Sequence, residues 1–275
     1  MNTMEILNSF PEPEGKILRN IDKKKCELAV EQIIQGGKKT LTEIINLILE
    51  PGKGQDIRAR HAVHATAIRV GGPGKEKIRR DFAHHLASTL SDDRTKAVKG
   101  FIIRQLQICA GINEASKIAV FLTDSDEHLY EYAAQALEAI GPESVRYFRE
   151  AYPKAEGAPR LTILQGLGVL RDLLSKDTFR RATKDEDLEI RLAGLWGLMR
   201  IASAEDADLL LRHSTRENGW GHIKATAYCL ELAENLAETG KVKTARFIYE
   251  EIQKSRTKKN EQHLQSAARN ALHKI

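Results

Sequence analysis

Imidazoles are the first side chains in this sequence whose spacing suggests chemistry. If 57–70 and 75–90 form an antiparallel helical hairpin turning about position 73, residue 61 faces residue 85 and residue 64 falls near 82. His61, His64, His84 and His85 then approach one another closely enough to hold a divalent metal. Against that reading, adjacent helical residues point about 100° apart, so His84 and His85 diverge. No carboxylate or thiol completes the set. The expectation is therefore packing and surface histidines and no metal. A second grouping is basic: Lys75, Lys77, Arg79 and Arg80, with Arg58, Arg60 and Arg69 before them and Arg94, Lys96, Lys99 and Arg104 after. Such a stripe offers a phosphate backbone a track. Phe82 and Phe101 are the nearby rings and both fall where core residues are expected, so stacking of single-stranded bases is unsupported. Nucleic-acid binding stands second to protein binding.

Catalytic and cofactor motifs are missing. The sequence has no GxGxxG, no Walker loop and no HExxH. Gly71–Lys75 is glycine-rich but lacks the length and the hydroxyl residue a phosphate loop needs. The three cysteines, Cys26, Cys109 and Cys229, are odd in number and far apart, which leaves neither a disulfide framework nor a metal knuckle and fits a reducing compartment. Cys109 and Cys229 fall in or beside core positions and read as buried thiols. The reading is a non-enzyme without a cofactor. Lys75, Arg79 and Arg80 are the basic candidates for partner contact. Tyr147 beside Phe148, Tyr152, and Trp220 at a helix entrance are the aromatic ones, since aromatic and Arg side chains dominate interface energy.

Those residues need elements to position them. The 275 residues are 41% hydrophobic, 29% charged and only 5% aromatic, which favours helix over an all-β sandwich. The longest apolar run, Ile118–Leu122, is far too short to span a membrane, and the first twenty residues show no targeting pattern; the expected location is the cytoplasm. Charge is uneven: 1–110 and 219–275 are net basic and 111–218 is net acidic. Internal repetition decides the fold class. Asp126–Gly141 superposes without a gap on Asp187–Ala202. Both copies open on an N-cap aspartate, carry small residues (Ala133, Ala134, Ala136; Ala193, Gly194, Gly197), then a leucine and an isoleucine. The leucine recurs at Leu106, Leu137, Leu167, Leu198 and Leu230, close to every 31 residues. Small inward residues let helix axes approach, and a lone helix pair of this length cannot bury its apolar face, so pairs must stack.

The D-x-x-[IV]-R-x-A-x-x-x-x-L-x-x-I-G pattern, seen best at Asp187–Ala202 and Asp126–Gly141, resembles the short bacterial HEAT-like repeats also found in phycobilisome lyases. The resemblance covers roughly 56–235. It implies an all-α fold, a right-handed α-solenoid of about seven antiparallel helix pairs, with a binding or scaffolding role and no catalytic residues of its own. Around Leu232, Ala233, Gly240, Ala245, Tyr249 and Ile252 the spacing resembles a tetratricopeptide hairpin. The expected organisation is an extended or disordered arm over 1–20, a solenoid over 21–235, and a continuous C-terminal hairpin and capping helix over 219–275. The expected function is protein–protein interaction, as a noncatalytic module or scaffold, through the concave face lined by the second helices. The alternatives are a nucleic-acid binder using the basic N-terminal turns, or a subunit of a lyase-like HEAT enzyme.

Overall fold

A computed structural model of the chain describes residues 2–11 and 22–275. Among the described residues there are fifteen α-helices and no strand. They fall into two compact units, Met1–Pro159 and Arg160–Ile275.

Four helix pairs make up the first unit: α1 (Thr3–Leu7) with α2 (Lys23–Ile45), α3 (Ile57–Gly71) with α4 (Glu76–Ser88), α5 (Lys96–Cys109) with α6 (Ile112–Ala119), and α7 (Glu127–Ile140) with α8 (Val145–Ala151). First helices pack on first helices in the order α1, α3, α5, α7, and second on second in the order α2, α4, α6, α8. The inner helices α3, α4, α5 and α6 thus have a neighbour on either side within their own layer. The second unit repeats the plan from Arg160 onward, with α9 (Gly157–Val169) and α10 (Lys176–Ala182), α11 (Leu188–Arg200) and α12 (Ala207–Arg216), α13 (Gly219–Glu238) and α14 (Val242–Ser255), and α15 (Gln262–Leu272) closing on α14. Each unit is an all-α solenoid of stacked antiparallel pairs.

The repeat supplies both the starts and the core of these helices. Asp126 and Asp187 cap α7 and α11, accepting from the backbone N–H of Leu129 and Glu189. Leu106, Leu137, Leu167 and Leu198 are all fully buried. In α13 the expected register slips: Leu230 is half-buried and Cys229 takes the buried place, on a stripe with Leu232, Ala233 and Leu236. Spacing i, i+3, i+4, i+7 puts those four on one helix face, and it is packing of that face against α12 and α14 that sets the register.

One expectation at the N-terminus changes. Residues 3–7 are helical rather than extended: Asn2 caps α1, and Ile6, Leu7 and Phe10 are buried. The apolar contribution of those three side chains offsets the cost of ordering a five-residue helix. The remainder of the expected arm, 12–20, lies outside the described residues. Lys23–Ile45 is two helical stretches meeting at a kink at Gly37, whose φ of 58° takes the left-handed backbone that only glycine adopts freely.

Candidate functional site

The four histidines do not converge. His61 packs its ring on Phe10 beyond α1, 5.4 Å between centroids. His64 bonds Gln105 Oε1 on α5 at 2.8 Å. His85 bonds Thr42 Oγ1 on α2 at 2.9 Å, and His84 lies 3.9 Å from the Glu114 carboxylate on α6. The layered stack explains the scatter. The hairpin reasoning treats α3 and α4 as facing each other, whereas their histidines point sideways, to the preceding and following neighbours in separate layers. Burial holds the imidazoles of His61 and His85 below their ordinary range. Among the described residues no group of three or more metal-ligating side chains gathers.

Most of the basic stripe is committed internally. Arg60 donates to Asp56 and to the Leu49 carbonyl, Arg69 pairs with Glu31, Arg94 with Asp92 and Asn46, and Lys96 with Asp124. Arg58 donates to Asn8 Oδ1, and Lys75 to the Arg69 carbonyl. On α4, Arg79 is half-buried, close enough to Cys109 for its charge to act on the thiol, while Lys77 and Arg80 are exposed. Six of the eleven cations are thus tied to protein acceptors, and Lys77, Arg79, Arg80 and Lys99 carry no ion pair among the described residues.

The second-helix face of the first unit carries two depressions. One, about 430 Å³, lies between α2 and α4, with Ile34, Lys38, Ile78 and Asp81 at its walls and His85 behind them. The other, a shallower groove of about 270 Å³ between α6 and α8, is lined by Ser116, Val120, Tyr147, Glu150 and Lys154. Val120 is 68% exposed. Tyr147 is held by its neighbour: Arg146 donates to the Tyr147 hydroxyl at 2.8 Å and lies over the ring at 4.8 Å. Phe148, by contrast, is fully buried, and Tyr152 is half-buried just past α8. Arg79, Arg80 and Tyr147 thus share a layer, with α6 between them. Trp220 lies in the other unit, on a first helix.

A feature the sequence reading missed lies on the first helices. In the first unit Arg60 of α3 sits over Phe101 of α5 at 4.9 Å, and Arg104 of α5 over Tyr132 of α7 at 5.2 Å. Gly100 leaves room for the Tyr132 ring. In the second unit Arg200 lies over Trp196, whose ring rests on Gly168 of α9, and Lys224 lies 5.1 Å from the Trp220 centroid and 5.6 Å from that of Tyr228. Superposing the repeats puts Phe101 and Tyr132 five positions before the repeat leucine, and Trp196 and Tyr228 two positions before it, so the ring occupies one place in the first unit and another, about one helical turn on, in the second. The two buried thiols offer no nucleophile: burial pushes Cys109 and Cys229 up to about 12.

The chain matches no family model and no curated protein. Among solved structures it is similar to the complex of CpcE and CpcF of phycocyanin lyase from Nostoc sp. PCC7120, at 12% identity and a TM-score of 0.37 over 99% of this chain and 95% of that one. It is also similar to the designed armadillo repeat protein YIII(Dq)4CqI, at 16% identity and 0.32 over 84% of this chain and 99% of that one. A computationally designed armadillo repeat protein for modular peptide recognition gives 14% and 0.30 over 98% and 99%.

Proposed function

We propose that this repeat protein is a noncatalytic protein-interaction scaffold that engages a partner on the second-helix face of its first unit. The observation that carries the reading is the groove between α6 and α8, where a valine stands 68% exposed beside a tyrosine already fixed by Arg146. A pre-ordered ring loses little freedom on binding, and apolar area on a groove floor is what an interface buries. The lack of assembled reactive groups among the described residues supports a binding role over an enzymatic one. The internal pairing of Arg60, Arg69, Arg94 and Lys96 favours a protein over a nucleic acid as partner. Cys26, Cys109 and Cys229 are free thiols, and among the described residues no helix is long and apolar enough to cross a membrane; both support action in the cytoplasm.

Affinity capture from native extract with the wild-type chain and a Val120→Glu, Tyr147→Ala variant tests the proposal, with circular dichroism confirming that the variant stays helical. A partner protein is expected with the wild type and lost with the variant. Retention of the same protein by both, or enrichment of nucleic acid alone, refutes the reading.

A further inference from the structure

The cavity of about 430 Å³ between α2 and α4 sits at the kink of α2, with Gly37 in its wall, and its size falls within the range of about 300–1,000 Å³ typical of small-molecule sites. Most of its lining is apolar, from Ile34 and Leu41 on α2 and Ile78 and Phe82 on α4. At its back is one polar ring. His85 is only 9% exposed, and its Nε2 lies 2.9 Å from Thr42 Oγ1. Proton counting fixes the tautomer. The single hydroxyl proton of Thr42 goes to the Lys38 carbonyl at 2.8 Å, so Thr42 accepts from the ring and Nε2 carries the hydrogen. Nδ1 is then a bare acceptor. Ser88 Oγ, 3.5 Å away, supplies no hydrogen to it, because it donates its own to the His85 carbonyl at 2.6 Å. The opposite tautomer would leave a buried Nδ1–H facing Ser88 Oγ at 3.5 Å, too far for a good bond. Burial first, and the Lys38 charge second, hold the imidazole below its ordinary range and so keep it neutral at pH 7. The Nδ1 edge is turned to Ser88, which lines the cavity, and the Nε2 edge to Thr42, which does not.

We propose that this cavity binds an uncharged small molecule with an apolar body and one N–H or O–H donor, the donor bonding His85 Nδ1 and the body lying against Ile34, Ile78 and Phe82. A buried lone pair without a hydrogen is costly, and a donor arriving with the ligand removes that cost. The same lone pair rejects a carboxylate, whose oxygens would face it with lone pairs of their own. A cation would have to leave water for walls of Ile, Leu and Phe. Lys38 and Asp81 at the rim carry opposite charges and select neither sign. The site shares the second-helix layer with the α6–α8 groove but none of its residues, and it does not depend on the partner proposed there.

Fluorine NMR of a ring-fluorinated indole, titrated with the full-length chain at neutral pH, tests the site. The matching benzofuran, of the same shape with an oxygen in place of the N–H, is the paired probe. Saturable broadening of the indole signal is expected, with the benzofuran bound about tenfold more weakly or worse, the factor one unmade hydrogen bond is worth. His85→Phe keeps a ring in place and removes the acceptor, so it should bring the indole down to the affinity of the benzofuran. Ile78→Glu, at a position 41% exposed, should abolish binding of both. Circular dichroism checks the fold, and if the buried His85→Phe change disrupts it, Ile78→Glu and the paired probes carry the test. The Val120→Glu, Tyr147→Ala variant should bind the indole as the wild type does. No saturable binding of the indole, equal affinity for indole and benzofuran, or an unchanged Kd in folded His85→Phe or Ile78→Glu overturns the proposal. Loss of the indole from the Val120→Glu, Tyr147→Ala variant also overturns it, by placing the probe in the α6–α8 groove.

Discussion

Replacing Gly194 by alanine tests how closely one helix pair approaches the next. A Cβ at this position in α11 would stand 2.7 Å from the Phe179 carbonyl oxygen, 2.9 Å from Ala182 Cβ and 3.0 Å from the Thr183 amide nitrogen, all belonging to α10 or the residue after it. Two of those atoms are backbone, so no rotamer change relieves the contact and α10 must move away. Gly100 in α5 is the control. Its added Cβ would meet the Tyr132 ring at 3.4 Å, an ordinary contact distance. Both glycines are helical, so both substitutions gain about 1 kcal/mol of helix propensity. Overpacking costs about 1–3 kcal/mol, towards the upper end where backbone must shift. Gly194→Ala should therefore lose about 2 kcal/mol net, and Gly100→Ala should gain up to about 1 kcal/mol. The two tryptophans, Trp196 and Trp220, both lie in the second unit, so their fluorescence follows Gly194 while circular dichroism follows both units. With a slope of about 1–3 kcal/mol per molar urea, the fluorescence midpoint should fall by roughly 1 M for Gly194→Ala. A midpoint that stays or rises means propensity is unopposed and the α10–α11 approach is not as tight as described.

Four further outcomes follow from side chains away from the surface. Arg256 is almost fully buried and donates to the Ser214 carbonyl, Ser214 Oγ and Thr226 Oγ1, joining α12, α13 and the end of α14; Arg256→Ala strands those groups and should cost about 3 kcal/mol in urea unfolding, whereas an unchanged midpoint contradicts the latch. Burial first, and the Lys38 charge second, hold His85 below the ordinary 6.5, with Asp92 opposing. The unfolded chain then binds more protons than the folded one as pH falls below about 6.5, so this contribution is complete above that pH and is lost on acidification; His85→Gln should flatten the fall in stability between about pH 7 and 5. Of the three thiols, Cys26 should react with a disulfide reagent in the native protein, and Cys109 and Cys229 only on unfolding, as counted by released chromophore. Ala202, at a φ of 51°, sits in left-handed backbone, so Ala202→Gly should raise the thermal midpoint of the second unit by an amount worth up to about 1 kcal/mol.

What could be read in the sequence was whatever a helix carries along its own length. Capping by Asp126 and Asp187, burial of Leu106, Leu137, Leu167 and Leu198, and the turn at Gly240 between α13 and α14 are properties of one helix or one hairpin. Misreadings begin where side chains leave their own pair. His61, His64, His84 and His85 were weighed against each other, yet each finds its partner one pair earlier or later. Arg60 and Phe101, or Arg104 and Tyr132, likewise meet only when α3, α5 and α7 lie side by side, and neither residue of such a pair announces the other. Tyr147 and Trp220 could be singled out because aromatics in a ring-poor chain are conspicuous. The groove that gives Tyr147 its setting depends on Val120, a residue with nothing to mark it in sequence.

The turns inside the second unit show why lateral geometry outlasts residue identity in such a stack. Arg171 and Ala202, 31 positions apart in sequence, both take left-handed backbone, at φ 53° and 51°, where the corresponding turn of the first unit has Gly141 at 96°. Just beyond, Asp172 accepts from Ser175 Oγ at 2.6 Å, and Asp206 accepts from Ser203 Oγ at 2.6 Å. One bond is thus closed from opposite ends, with the two residue types exchanged. Either arrangement satisfies the same buried groups, so selection on the turn fixes a shape and a polar pair without fixing which residue stands where. A pattern matched letter by letter loses the repeat at 157–171, although α9 still receives Trp196 on Gly168. The elements persist because each new pair must fit the one before it. Largely exposed residues such as Val120 are released from that demand, and these are the positions where the proposed partner is expected to be read.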